Sequence, residues 1–373
     1  MPTIALVGGN SQVATEVALF LRVTSETEVV PVCRSVPGSA FLRHCGFTCR
    51  IGDMTDPETA RRMLEGVDLA VDFSRSDGTA GEIRRRMTAS ITNLVRYSPA
   101  GCRLAYTSTE MAFGLGAGDT HLRSRAIART TYGATKRYAE KLIQRLAAQA
   151  GKEAYVLRLG QVHGELQSVS AGMRARFREN RPLAMPNSIS DTVFAYTIAE
   201  ALLHIAEGRE RPSLYTLMST PDWHWEDIYR FYSAECGVDP PLMLYSVSAT
   251  SFLRRSTDAV RGAAKAMLLR NREVIGSNLL WRLPRLEQRM FARYRAQNAE
   301  KEILPINSAE PLASCRPVVG AIPGARLTSL SDSRITMEMP ARQVREMLTQ
   351  ASERLKPSHR SIGDSSHSSL LPF

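Results

Sequence analysis

Through the first half of the chain, short β-branched and aliphatic runs alternate with longer stretches whose apolar residues recur at helical spacing. Ile4 to Val7 reads as a first strand. Gln12 to Val23 reads as a helix, with Val13, Val17, Phe20 and Leu21 along one stripe. Glu28 to Cys33 is a second strand, Pro57 to Leu64 a helix entered after Asp56, Leu69 to Phe73 a strand, and Arg103 to Thr107 a strand ending in a Ser/Thr cluster. Tyr132 to Ala150 is a long amphipathic helix and Ala154 to Leu159 another strand. This β-α rhythm predicts an α/β fold, a doubly wound parallel sheet covered by helices on both faces.

After about Val162 the alternation loosens. Val193 to Glu207 reads as a helix, Leu214 to Leu217 as a strand and Trp225 to Cys236 as a helix. From Pro240 the pattern becomes long basic amphipathic helices, with Leu253, Val260, Ala264 and Met267 on one stripe and Leu279, Leu283, Leu286, Met290 and Tyr294 on another. The expected organisation is a first domain over residues 1–165, to which the chain returns around 190–220, a second region over 166–356, and a Ser/His-rich disordered tail over 357–373.

Composition narrows the class. The chain has 373 residues, 43% hydrophobic and 23% charged, enough apolar material for a substantial core. Its net charge is +11, and residues 251–300 hold eleven Arg or Lys against four acids. The remainder is close to neutral, which argues against a nucleic-acid coat and for one local anion-attracting region. No apolar run is long enough to span a membrane and no basic leader opens the chain, so a cytoplasmic protein is expected. Six cysteines without a CxxC pair read as core thiols and give no metal site.

The segment IALVGGNSQVA places Gly8 and Gly9 directly after the first strand, at the opening of a helix. A dinucleotide pyrophosphate needs this location, where the N–H groups around Ser11, Gln12 and Val13 and the positive end of the helix dipole are available. Gly8 fits a GxxGxxG pattern, while Ser11 and Ala14 stand at its second and third glycines. The second strand ends Cys33-Arg34-Ser35 without the acid that would hold a ribose 2′-hydroxyl; Arg34 can pair with a 2′-phosphate, so NADP is preferred and NAD is the alternative. Gly52-Asp53-Met54 follows another short strand and puts a carboxylate where an adenine amino group can donate; a helix-capping role is the alternative.

Tyr132 and Lys136 lie at i and i+4 on one helix face, an arrangement in which an ammonium favours phenolate and lets the phenol exchange a proton with a substrate hydroxyl. Upstream, Thr107-Ser108-Thr109-Glu110 supplies a hydroxyl to hold the reacting oxygen.

In order along the chain, IALVGGNSQVA, IGDMTDPETARRMLEGVDLAVDFS, STEMAFG, YGATKRYAEKLI, VLRLGQVHG, TVFAYTIAEALLHIAEG and LYTLMSTPDWHWEDIYRFYSAECG resemble the extended short-chain dehydrogenase/reductases, the NAD(P)-dependent epimerase/dehydratase family. The resemblance runs from Ile4 to about Gly237. It implies a Rossmann-type sheet with a smaller, mainly helical carboxy-terminal substrate domain, often for a nucleotide sugar. It also implies Tyr132 as general acid/base, Lys136 on the nicotinamide ribose, and Thr109 as the orienting hydroxyl, with Ser108 as the one-residue alternative. Glu110 resembles the acid of the 4,6-dehydratases, but Met111 stands where their glutamate base would be, against a standard 4,6-dehydration. The family's Asn is unmatched in RRMTASITNL, although Asn93 fits a later structural position. His163, in place of a tyrosine, is a substrate contact or a packed histidine, and Tyr196-Thr197 replace frequent acids.

The leading expectation is an enzyme that oxidises a secondary alcohol of a small acidic substrate, then releases the ketone or reduces it back after epimerisation or elimination. Arg174, Arg176 and Arg178 are candidates for a diphosphate or a solvated face. Alternatives are an NADPH-dependent ketone reductase and a non-catalytic nucleotide-binding protein. A homodimer is expected. Peripheral membrane contact through the arginine-rich stripes is a further reading.

Overall fold

The computed structural model describes residues 1–76, 78–109, 112, 131–187, 190, 192–219, 223–245, 325–328 and 338–355. Eight strands form the central sheet: β1 (Thr3–Val7), β2 (Glu28–Cys33), β3 (Arg50–Ile51), β4 (Leu69–Asp72), β5 (Arg103–Thr109), β6 (Ala154–Leu159), β10 (Leu214–Met218) and β12 (Ala325–Thr328). Their order is β12-β10-β6-β5-β4-β1-β2-β3, with every neighbouring pair parallel. The inner strands read as continuous apolar runs because both faces are covered; all four residues of β4 are buried.

One face carries α1 (Gln12–Thr24), α7 (Ala195–Ala206), α8 (Trp225–Cys236) and α9 (Glu338–Leu355), whose buried side chains join one core with the sheet. The other face carries α3 (Pro57–Met63), α4 (Ala80–Tyr97) and α5 (Thr131–Gln149) in a second core. Helix entries follow local chemistry. The Ser11 hydroxyl accepts from the Ala14 N–H to cap α1. Asp56 accepts from the Thr59 N–H and Pro57 opens α3, while Thr79 and Glu82 form a reciprocal capping box on α4.

Beyond β6, β7 (Gln161–His163) pairs with β9 (Thr192–Phe194), and β8 (Leu183–Pro186) pairs with β11 (Leu242–Tyr245). α6 (Ser168–Arg178) lies between β7 and β8. A short α2 (Ala40–His44) follows β2.

The observed elements depart from expectation in three places. Val193 and Phe194 belong to β9 rather than to a helix starting at Val193, because they pair with Val162 and His163. β5 runs two residues past Thr107, its tip paired with Arg158 and Leu159 of β6. β12 joins the sheet edge from a segment expected to lie wholly in the second region. The arginine-rich stripes at 253–294, Glu110 with Met111, and the tail lie outside the described residues. Among the described residues, no helix is long and apolar enough to cross a membrane.

Candidate active site

The strand order reverses at β1, which pairs with β2 on one side and β4 on the other; open α/β sheets bind ligands in the crevice at such a point. Gly8 leaves β1 with φ +74°, and a Cβ there would lie 2.8 Å from the Ser74 Cα at the end of β4. A Cβ on Gly9 would lie 2.8 Å from the Pro31 Cβ. The turn therefore requires both glycines, one for conformation and contact and the other for contact alone. Their N–H groups donate to the Val32 carbonyl at 3.0 and 3.1 Å, so they shape the turn rather than face a phosphate.

The donors available to an anion are those of Gln12 and Val13, in the first helical turn where α1 has no carbonyl of its own to offer. Ser11, at the position expected for a second glycine, closes the turn with its N–H on the Gly8 carbonyl (2.9 Å). Ala14, at the third, is fully buried.

Around the tip of β2, Arg34 is exposed and Cys33 is buried, its thiol pushed up to about 12 by that burial. The strand tip therefore offers a cation and no carboxylate. Asp53 is exposed, and its Oδ1 accepts from the Thr55 N–H at 2.9 Å, leaving the capping of α3 to Asp56. Met54 is buried, and its carbonyl accepts from Asn93 Nδ2 at 2.9 Å. Asn93 thus pins the Asp53 loop to α4.

On α5, Tyr132, Lys136 and Glu140 follow one another at helical spacing toward the carboxyl ends of β5 and β6. Lys136 is buried, donates to the Thr107 carbonyl at 2.9 Å, and lies 4.8 Å from the Tyr106 ring centroid. Burial pulls its pKa down to about 8, with the Asp72 and Glu140 carboxylates opposing and Arg75 adding to the fall. Asp72, buried at the end of β4, is pushed up by desolvation, against hydrogen bonds from Ser74 and the Lys136 charge.

The Tyr132 side chain is 42% exposed, yet desolvation near its hydroxyl pushes the phenol up from its ordinary value. The cation opposing that rise is Arg75, whose guanidinium carbon lies 5.9 Å from the ring centroid. Against the expectation that Lys136 would bring the phenol down, desolvation leaves it raised, and the Lys136 ammonium donates to the β5 backbone rather than to the phenol.

Alternation along β5 separates the two candidate hydroxyls. Ser108 is buried and donates to Glu140 Oε1 at 2.6 Å; the same carboxylate holds Arg158 through two bonds at 2.8 and 2.7 Å. Thr109, half-buried at the tip, lies on the opposite strand face with Thr107, which donates to the Asp72 carbonyl at 2.8 Å.

A continuous set of neighbours thus runs from Gly8 through Ser74 and Arg75 to Tyr132, and along α5 to Lys136 and the end of β5. Arg34 and Asp53 flank the β2–β3 side of the same sheet edge. Arg75 escapes the sequence reading. Its signal is positional: it follows the tip of β4, the strand that closes the crevice opposite the glycine turn.

Three other candidates are committed elsewhere. His163 is fully buried, with Nδ1 2.8 Å from the Tyr232 hydroxyl. Tyr196 packs edge-on against Phe20 with centroids 5.5 Å apart. Arg174 pairs with Glu165 and Glu235 at 3.1 and 2.9 Å, while Arg176 and Arg178 are exposed.

The sequence profile of the NAD dependent epimerase/dehydratase family matches residues 4–216. No curated protein sequence matches the chain. Solved structures with the same fold include UDP-N-acetylglucosamine 4-epimerase from Bacillus cereus, at 15% identity and TM-score 0.52 over 66% of this chain and 86% of that one. Another is the Bordetella bronchiseptica enzyme WbmH in complex with NAD+, at 16% identity and TM-score 0.52 over 67% and 86%. A third is dTDP-glucose 4,6-dehydratase from Bacillus anthracis str. Ames in complex with NAD, at 10% identity and TM-score 0.51 over 66% and 85%. With more than half its length matched by that profile, and with the sheet order and glycine turn described above, the chain belongs to the NAD-dependent epimerase/dehydratase family.

Proposed function

We propose that this protein is an extended short-chain dehydrogenase/reductase that acts on a secondary alcohol of a small acidic substrate, such as a nucleotide sugar, through Thr109, Tyr132 and Lys136. The observation that carries this reading is the convergence of Tyr132 and Lys136 with the end of β5, across the crevice from a turn that only glycine fits. A bound nicotinamide dinucleotide would accept and return hydride. The residues fit that group: Gly8 removes the Cβ that would fill the turn, and Gln12 and Val13 present first-turn N–H groups.

Tyr132 takes the proton from the substrate hydroxyl, and Thr109 orients that hydroxyl. Arg75 supplies the positive charge beside the phenol, while Lys136 anchors the α5 face to β5 and would hold a cofactor ribose with its remaining donors. Met111, where related dehydratases would carry a glutamate base, favours epimerisation or simple oxidoreduction over 4,6-elimination. NADP is the preferred cofactor and NAD the alternative, because the β2 tip presents exposed Arg34 beside a neutral thiol.

Mass spectrometry of ligands released from the natively purified protein tests the class: a dinucleotide with or without a nucleotide sugar is expected, and a different ligand retained in the crevice would refute it. Tyr132→Phe should lower turnover by about 10²–10⁴ while sparing dinucleotide affinity. Arg34→Ala should weaken NADP(H) far more than NAD(H); equal effects would remove the 2′-phosphate role.

A further inference from the structure

The backbone that carries Arg75 is braced on both sides. The Phe73 N–H donates to the Val7 carbonyl at 2.9 Å and the Ser74 N–H to Asp72 Oδ1 at 2.7 Å, while the Ser74 Cα closes on the Gly8 turn. Shortly after Arg75, Thr79 opens the capping box of α4. The arginine side chain therefore leaves a fixed point at the carboxyl end of β4. It is exposed, and its guanidinium carbon lies 5.9 Å from the Tyr132 ring centroid. A ring at that distance attracts the cation without neutralising it.

The acids around this loop are committed to other groups. Glu140 accepts from two Arg158 nitrogens and from Ser108. Glu82 reaches back to the N–H and hydroxyl of Thr79. Asp72 is buried, takes the Ser74 N–H and stands opposite the Lys136 charge. Among the described residues, no carboxylate forms an ion pair with Arg75. Pairing Arg158 with Glu140 and Lys136 with Asp72 thus leaves Arg75 as a surplus cation beside the phenol. Its charge also acts on Lys136, adding to the fall of the ammonium pKa. An anion bound at Arg75 would relieve that repulsion between the two cations.

The guanidinium is a planar fork that a carboxylate matches with two parallel hydrogen bonds. A phosphate site usually gathers backbone N–H groups as well, and here the Ser74 N–H is already taken by Asp72. With a carbinol on the Tyr132 hydroxyl, a carboxylate on the neighbouring carbon or the next one falls within reach of the fork.

We propose that Arg75 selects a hydroxy acid as substrate, holding a carboxylate one or two carbons from the carbinol that meets Tyr132. This inference rests on the alcohol-oxidising site proposed above. It places the substrate's negative charge next to the reacting carbon, as in a uronate sugar or a 3-hydroxy acid, and not solely in a remote diphosphate.

Calorimetric titration of the full-length protein with acetoacetate, methyl acetoacetate and dihydroxyacetone phosphate tests it. The protein is first saturated with NADP+, or with NAD+ if that is the dinucleotide it binds, so that no hydride is available for turnover. Acetoacetate should bind, and the neutral ester should bind about tenfold or more weakly. Arg75→Met should weaken acetoacetate by a similar factor and spare dinucleotide affinity, and Arg75→Lys should recover part of the loss; the side chain is exposed, so both variants should fold. No binding of acetoacetate, equal binding of acid and ester, tighter binding of the phosphate, or acetoacetate binding that survives Arg75→Met would overturn the proposal and leave the dinucleotide site standing. Weakened dinucleotide binding in Arg75→Met would assign the guanidinium to the cofactor and overturn it too. Failure of the unmodified protein to bind either dinucleotide would remove the underlying reading, and this inference with it.

Discussion

The buried Glu140–Arg158 pair allows a prediction whose size follows from its geometry. The side chains are 3% and 8% exposed, two Arg158 nitrogens meet the two carboxylate oxygens, and Ser108 adds a third bond. Replacing Arg158 with Met leaves the carboxylate in the core with one hydroxyl donor. Breaking a buried pair in this way costs about 3–5 kcal/mol. Arg137 lies close enough to be repelled by Arg158, so its charge can swing into partial compensation and the lower end, about 3 kcal/mol, is expected. In the double variant Glu140→Leu with Arg158→Met, no charge is stranded. The loss should then fall to about 1 kcal/mol, the cost of leaving Ser108 without an acceptor. Urea unfolding of all three variants, including Glu140→Leu alone, which strands the Arg158 charge at a similar cost of about 3 kcal/mol, gives the coupling directly, and it should be about 5 kcal/mol. A double variant no more stable than Arg158→Met would show that the pair is not an electrostatic unit and would refute the reasoning.

Further predictions concern the site and the joint behind it. Ser108→Ala should lower stability but keep turnover, whereas Thr109→Val should lower turnover with little change in stability; the reverse pattern in kinetics and urea melts would move the orienting role to Ser108. Arg75→Met removes the cation beside Tyr132, so the limb of the pH–rate profile that reports phenol ionisation should shift upward, and Arg75→Lys should restore most of it. Glu16 is raised from 4.5 to about 7 and His163 lowered from 6.5 to about 4, both chiefly by burial. Glu16 holds its proton more tightly when folded, so its contribution is lost as pH rises from about 4.5 to 7. His163 binds its proton less tightly when folded, so its contribution is gained from about pH 4 to 6.5. The two slopes oppose, each worth up to about 3 kcal/mol. The stability of the unmodified protein should therefore vary little across that window, while His163→Phe should make it fall with pH; chemical denaturation at several pH values checks the sign.

The alternating half of the fold is legible because each element there states its own period. β1, β2 and β6 are apolar runs buried on both faces, and α1 repeats its apolar residues at helical spacing after a serine cap. α4 is harder to read. Its arginines, serines and threonines dilute the stripe of Met87, Ile91, Leu94 and Val95, and the clearer signal is the Thr79–Glu82 box at its start. β7, β9 and β12 could not be read locally, since three or four residues acquire strand character only from partners distant in the chain.

The site divides in the same way. Tyr132 and Lys136 are legible from spacing, and Gly8 from its place after β1. The direction of the Lys136 ammonium, the commitment of Ser108 to Glu140 and the approach of Arg75 to Tyr132 depend on which strand tips lie side by side. That information is held in the strand order and in no single segment.

The most direct test of a nicotinamide dinucleotide seated on the Gly8 turn is a fluorescence titration of the full-length protein with NADPH and NADH, run beside Gly8→Ala. Saturable binding of NADPH that the variant loses is expected, because the added Cβ would lie 2.8 Å from the Ser74 Cα in a backbone conformation that favours glycine. Failure of either dinucleotide to bind, or equal binding by the variant, would contradict it.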